Sequence, residues 1–265
     1  MLNISIITAV RNAVGQIGAT LRSVESQTYA GIEHVVVDGA SSDGTQEYVE
    51  KAGRRVSRLV SEPDKGVYDA FNKGLRLATG DVIAFLNAGD TYVEPGVIAK
   101  IAARLEETGA DLLFADLFIV DENDRSKVVR HYRSSAFSPK LIRFGIMPAH
   151  PTMFIRRHVY EQLGGYDPTY RIAGDFELVV RLFTKLKVSF LYQPETLVCM
   201  LRGGLSTSGI KSKLTITKEM LRACRSNGVR TNLAMISVLR LPLRLTELRF
   251  GLARLHDAEA VMDSP

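Results

Sequence analysis

HVVVDGASSDGT, residues His34–Thr45, runs three valines into a carboxylate and then into small, turn-forming residues. A near-continuous apolar run suits a strand covered on both faces. Ser42 or Asp43 can then cap a helix through Tyr48 and Val49. The segment therefore reads as buried strand, polar turn, helix, and the same grammar recurs around it. ISIITAV (Ile4–Val10) is a first strand, followed by helical spacing from Val14 to Gln27 with Ile17, Leu21 and Val24 on one face. RLVSEPD (Arg58–Asp64) is a shorter strand broken at Pro63, and Gly66 to Ala78 reads as the next helix. DVIAFLN (Asp81–Asn87) is a fourth strand, Pro95 and Gly96 open a helix to Glu107, and DLLFADLFIVD (Asp111–Asp121) returns as strand with room for a bend. Strands alternating with helices predict an α/β fold with a Rossmann-like, mostly parallel central sheet flanked by helices. Such sheets take ligands beyond the strand C-termini. That draws attention to Thr8–Arg11, Asp38–Ser41, Glu62–Asp64 and Asn87–Asp90.

The second half is less regular. PAHPTMFIRR (Pro148–Arg157) sets two prolines beside an apolar run, and GGYDPTY (Gly164–Tyr170) is rich in turn formers. GDFELVVRLF (Gly174–Phe183) reads as a helix with acids in its first turn. VSFLYQPETLVCMLR (Val188–Arg202) suggests strand, a break at Pro194 and strand again, before a flexible loop, GGLSTSG (Gly203–Gly209). The expected organisation is a domain over 1–208 in two halves, 1–110 and 111–208. A basic amphipathic helical region would fill 209–265.

With 265 residues, 46% hydrophobic and 24% charged, the chain can bury a substantial core. Cys199 and Cys224 offer neither a disulfide framework nor metal-ligand spacing, which fits a reducing cytoplasm. The opening MLNISIITAV reads as a first strand and not as a signal peptide. No apolar run nears the roughly 20 residues of a membrane helix. The net charge of +5 is unevenly spread: ten basic residues lie between Lys211 and Arg254, opposed by Glu219 and Glu247. That asymmetry points to an anionic partner. Pro242 interrupts ISVLRLPLRLTELRFGLARLH (Ile236–His256), where apolar residues alternate with arginines. The stretch can lie on a bilayer interface, pack on its own domain or form a dimer contact. Nucleic acid is not expected, because the basic region has no recognisable binding fold.

Single positions carry open alternatives. Asp38 can accept hydrogen bonds from a base or ribose, or simply end its strand beside a helix cap. Asp64, Lys65 and Gly66 feed a helix start, a natural place for anions. Asp90 can be a hard ligand for Mg²⁺ or Mn²⁺ on a nucleoside diphosphate, or part of a turn. Asn87 can meet ribose or a metal-bound water.

The ordered succession ISIITAVRN, VVVDGASSDGT, EPDKGVYDAFNKGLRLATGD, VIAFLNAGD, PAHPTMFIRR, GGYD and AGDFEL resembles inverting family 2 glycosyltransferases with the GT-A fold, over about residues 3 to 206. The resemblance implies a nucleotide-sugar donor, with a UDP-sugar expected, and a lipid-linked or cell-surface glycan acceptor, with 1–110 as the nucleotide-binding half and 111–208 as the acceptor half. Thr8, Ala9 and Arg11 match the loop that meets the nucleotide. Asp38 matches the base-recognising acid, and Asp64 and Lys73 match the donor loop and helix. Asn87, Ala88, Gly89 and Asp90 match the metal motif, in which the family usually writes two or three acids and this chain keeps Asp90. Asp175 matches the catalytic base, although Gly174 stands where Glu or Asp usually precedes it. His150, Arg202, Gly203, Gly204 and Ser206 match positions on the acceptor or diphosphate side.

An inverting transfer needs a base opposite the leaving diphosphate. Asp175 at a helix N-terminus suits that role, and Glu177 is a rival about 200° around the helix. Metal, Lys73 and Arg202 would then steady the departing charge. A cytoplasmic enzyme, peripheral at the inner membrane face, follows, with oligomeric state left open. The competing expectations are a catalytically weak binding or assembly subunit and a nucleotidyltransferase.

Overall fold

Ile4–Val10 forms strand β1 over the whole of its apolar run. It pairs in parallel with β2 (Ile32–Asp38) on one side and β4 (Val82–Phe85) on the other, and β3 (Val56–Ser61) continues the sheet outside β2. The register sets Val10 against Asp38 and Asp38 against Ser61, so the polar strand ends finish at one level. Helices α1 (Val14–Glu25), α2 (Thr45–Ala52) and α3 (Val67–Leu77) connect these strands. Alternation within each strand splits the core. Val10 and Val36 pack with Ile17, Leu21 and Val49 from α1 and α2. Ile7, Val35 and Val37 belong to the opposite cluster with Phe71 of α3.

This computed structural model describes residues 1–203 and 209–237. Gly204, Ser206 and nearly all of the basic stretch from Ile236 to His256 lie outside the described residues. Among the described residues the sheet has nine strands, ordered β3-β2-β1-β4-β8-β6-β9-β5 with β7 on β6. Beyond β4 its directions mix. β8 (Phe154–Arg156) is antiparallel to both β4 and β6 (Leu112–Val120). β9 (Phe190–Leu201) runs parallel to β6, while β7 (Val128–Tyr132) and the two-residue β5 (Thr91–Tyr92) pair antiparallel. The expected break at Pro194 does not occur: β9 continues through it. The register slips between Phe114 and Asp116, opposite Tyr192 and Thr196, so the proline sits at an irregularity where its missing N–H costs no ladder bond.

Helices α4 (Val97–Thr108), α5 (Arg157–Leu163), α6 (Gly174–Lys185) and α7 (Gly209–Ser226) complete the described fold. Met220, Ala223 and Cys224 of α7 join Phe176 and Val180 of α6 in the larger core cluster. The first helix of the basic region is therefore part of the core. Among the described residues no helix is long and apolar enough to cross a membrane.

Candidate active site

The ends of β1, β2 and β3 gather the first group of expected residues. Asp38 is fully buried. Its Oδ2 accepts from the Ser41 N–H (2.9 Å) and the Ser61 hydroxyl (2.6 Å), and its Oδ1 accepts from the Ser41 hydroxyl. A base could reach this carboxylate only after Ser41 moves aside. Thr8 is also fully buried: it donates to the Leu86 carbonyl at 2.8 Å and lies 2.9 Å from His34 Nε2. Since its one proton goes to Leu86, His34 must be the donor, which fixes the imidazole tautomer. Burial, helped by Arg55, lowers the His34 pKa to about 4. Thr8 thus braces the strand end from beneath. Ala9 is half-buried and Arg11 exposed. Arg11 Nη1 stands 4.0 Å from Asp64 Oδ1. A Cβ on Gly39 would strike that same Asp64 carboxylate, so Arg11, Gly39 and Asp64 share one ledge.

Lys73, mostly buried on α3, donates to the Pro63 carbonyl at 2.6 Å and pairs with Glu62 (3.0 Å) and Asp69 (3.6 Å). Burial opposes its charge, but Glu62 and Asp69 outweigh it and raise the pKa. Its ammonium is held against the loop that carries Glu62, Pro63 and Asp64.

Asn87–Asp90 forms the turn after β4, closed by the Asp90 N–H on the Asn87 carbonyl at 3.0 Å. Thr20 of α1 donates to the Asp90 carbonyl at 2.8 Å and accepts the Gly89 N–H at 2.9 Å. Asp90 is 5% exposed, and its Oδ1 accepts the Leu201 N–H from the end of β9 at 3.0 Å. Burial lifts its pKa to about 7, against the lowering effects of the Leu201 N–H and of Arg125. Arg125, in the turn between β6 and β7, donates to the Gly89 carbonyl at 2.9 Å. Its part in this turn had no signal in the sequence. Ala88 packs at the edge of the α1/α2 core. Arg202 and Gly203 follow Leu201 and are exposed, the former bonding its N–H to the Val120 carbonyl at 2.9 Å.

Among the described residues no three His, Cys, Asp or Glu side chains cluster as a metal cage. The turn nevertheless offers hard oxygens suited to a divalent cation that a diphosphate would also ligate. One is the buried Asp90 carboxylate, and the other is Asn87 Oδ1, buried without a hydrogen-bond partner. The donor set fits a cation shared with a ligand better than one bound by protein alone.

Asp175 opens α6, and its Oδ1 accepts the Phe176 N–H at 2.8 Å and lies 3.4 Å from the Tyr68 hydroxyl. Tyr68 also donates to the Ile172 carbonyl at 2.5 Å. A Cβ on Gly174 would stand 2.7 Å from the Tyr68 ring. Glycine at 174, where the family writes an acid, therefore makes room for an aromatic ring beside Asp175. Glu177 has a different fate. It is 4% exposed and takes a two-pronged bond from Arg181, 2.7 Å from Nε and 2.8 Å from Nη2. Arg181 also holds the Leu163 and Gly165 carbonyls. Glu177 is thus committed to a buried ion pair that anchors α6.

Asp175 and His150 line one cavity of about 260 Å³, walled by apolar side chains such as Phe137, Met147, Met200 and Ile216, with Arg130 and Arg133 at its edge. The His150 ring stacks on Phe71 and Phe85 at 5.6 and 5.5 Å, and its Nε2 lies 2.8 Å from the Tyr166 hydroxyl. Burial lowers its pKa to about 4, so it is neutral near pH 7 and brings no positive charge to a diphosphate. Asp38 and Asp90 are buried beneath Ser41, Ser61 and Leu201, whereas Asp175 is half-buried and lines the cavity.

Residues 5–164 match the model of glycosyl transferase family 2. A Mycobacterium tuberculosis (strain H37Ra) PGL/p-HBAD biosynthesis glycosyltransferase is 32% identical over 185 residues, covering 68% of this chain and 69% of that protein. An uncharacterized glycosyltransferase of Mycobacterium tuberculosis (strain H37Rv) is 30% identical over 201 residues, covering 75% of this chain and 73% of the relative. Among solved structures, S. aureus TarS 1-349 in complex with UDP-GlcNAc superposes with a TM-score of 0.65 at 17% identity, covering 98% of this chain and 88% of that one. The mannosyltransferase PcManGT from Pyrobaculum calidifontis, in complex with GDP-Man and Mn2+, gives 0.64 at 18% identity, covering 100% and 76%. The structural likenesses carry the GT-A fold, and the sequence matches carry the family, which sets aside the nucleotidyltransferase expectation. A parallel half with acids at its strand ends, a mixed half that adds Asp175, and these matches lead to one assignment: the chain belongs to glycosyl transferase family 2.

Proposed function

We propose that the protein transfers a sugar, with inversion, from a UDP-sugar to a lipid-linked or cell-surface glycan acceptor, with Asp175 as general base. The main support is the cavity at the α6 N-terminus, which Asp175 lines while its rival Glu177 is tied to Arg181. The acceptor hydroxyl gives its proton to Asp175, its oxygen bonds to the anomeric carbon, and the carbon–oxygen bond to the diphosphate breaks. The nucleoside diphosphate then leaves from the opposite face. The helix N-terminus favours an ionised Asp175 at the start of this step, and such general-base help contributes about 10²–10⁴-fold.

On the donor side, Ala9, Arg11 and Asp64 form the ledge for the nucleotide, and Asp38 reads the base once Ser41 swings away. Lys73 and Arg202 supply cations toward the diphosphate. Asp90, with Asn87, would hold Mn²⁺ or Mg²⁺, which supplies charge neutralisation of the leaving group. A UDP-sugar is favoured by the fold neighbour whose complex contains UDP-GlcNAc. Membrane contact through residues 209–265, at the cytoplasmic face, is favoured by their basic character.

Thermal shift and nucleotide-release measurements over a set of nucleotide sugars, with and without Mn²⁺, test this reading. Metal-dependent UDP binding with nucleotide release is expected. Neither binding nor release for any donor would overturn it. The single acid kept in the Asn87–Asp90 motif favours a second reading, a catalytically weak binding or assembly subunit. Tight UDP binding without release in the presence of acceptors would select it.

A further inference from the structure

We infer that Glu219 of α7 is a positioning residue for Asp175: its carboxylate holds the loop that presents the base and keeps that base from being over-stabilised as an anion. This rests on the assignment of Asp175 as general base. Glu219 accepts three consecutive backbone N–H groups, from Arg171 at 2.8 Å, Ile172 at 3.0 Å and Ala173 at 2.8 Å. Ala173 is the residue that caps α6, and it has no side-chain cap bond of its own. A carboxylate from another helix therefore fixes the three residues that lead into α6, the last of them two residues before Asp175. Three N–H groups on one carboxylate form a charge-assisted clamp, stronger per bond than neutral pairs.

The clamp works against a second hold on the same loop. Tyr68 of α3 bonds the Ile172 carbonyl, so residues 171–173 are gripped from α7 through their N–H groups and from α3 through a C=O. Asp175 is fixed between these holds, within reach of Tyr68. The charge consequence follows from position. The α6 N-terminus carries positive partial charge, which lowers the basicity of a carboxylate in its first turn. Glu219 places a negative charge at the same end and opposes that effect. Among the described residues, the groups near Asp175 include Tyr68 from α3, Tyr166 and His150 from the loops, and Arg130 and Arg133, which line the same cavity. The tyrosines are pushed above their ordinary range by burial and His150 is neutral, while Glu219 sets an acid against the arginines.

The test compares Glu219→Gln with Arg222→Ala in the full chain. Arg222 lies on the same helix and ties it to the same region, stacking 3.6 Å from the Tyr170 ring and bonding the Thr169 hydroxyl at 3.1 Å, but it touches none of the three N–H groups. Glu219→Gln should lower kcat for nucleotide release at least tenfold with the donor KM unchanged. It should also shift the acidic limb of the kcat profile to lower pH, because loss of a nearby negative charge lowers the pKa of Asp175. Arg222→Ala should lower Tm by a similar amount with kcat within twofold of wild type. Equal kcat losses in both variants, or a Glu219→Gln profile unmoved in pH, would overturn the inference. A wild-type protein that releases nucleotide from no donor would instead overturn the transferase reading on which it rests.

Discussion

The parallel half from β1 to β4 and the mixed half from β6 to β9 treat their polar groups in opposite ways. In the parallel half, Asp38, Thr8 and Lys73 already have close partners, and nearly all are buried. In the mixed half, Asp175 stands at the rim of a cavity with apolar walls. The first region is a closed frame held by its own hydrogen bonds. The second leaves the Asp175 carboxylate half-buried on a cavity wall and commits its buried charges elsewhere, to Glu177 and Arg181. Two acids two residues apart on one helix thus divide the labour: one faces the cavity, the other fastens the helix.

That division can be broken most sharply at Asp175. Asp175→Asn should reduce turnover by about 10²–10⁴-fold while nucleotide binding by calorimetry stays near wild type. Normal turnover in this variant would move the base elsewhere. Glu177→Ala should do the reverse. It strands Arg181 in the core and should cost about 3–5 kcal/mol of stability, read as a fall in urea midpoint, with turnover per folded molecule retained.

A pH experiment separates the stacked imidazole from its surroundings. The folded pKa of His150 is lowered from 6.5 to about 4. Above pH 6.5 both folded and unfolded states leave it neutral. As pH falls from 6.5 toward 4 the unfolded chain takes up the proton first, so stability is lost across that window. His150→Phe cannot lose it. Relative to wild type, that variant should gain about 2–3 kcal/mol between pH 7.5 and 4.5 in urea titrations. Asp90 works in the other direction, since its raised pKa of about 7 lets the fold bind a proton first as pH falls, and it is common to both proteins. Parallel pH profiles for the two proteins would show that His150 is not held neutral.

The smallest expected effect lies where the halves meet. Asn72 of α3 bonds both backbone groups of Tyr166, its Nδ2 to the carbonyl and its Oδ1 from the N–H, each at 2.8 Å. Asn72→Ala should cost about 1–2 kcal/mol. If it also loosens the cavity, the donor KM should hold while the acceptor KM rises.

Much of the frame is legible locally. β1 ends where its apolar run ends, and α3 and α6 begin where Gly66 and Gly174 place them, because burial on both sheet faces and helix starts leave marks within a few residues. The mixed strand directions beyond β4 are not legible, since short apolar runs such as Phe154–Arg156 carry no record of which neighbour they will pair with or in which sense. The site divides along the same line. Which acids sit at strand ends and at the α6 start, and the family they imply, could be read from residue order alone. Whether Glu177 is free or paired, why residue 174 is glycine, and that Arg125 and Glu219 reach these loops depended on contacts between residues dozens of positions apart. The chain alone decided where carboxylates would stand along it. Their burial, partners and proton affinity were decided only when distant segments packed against them, because desolvation and hydrogen bonding belong to the folded surroundings and not to the residue.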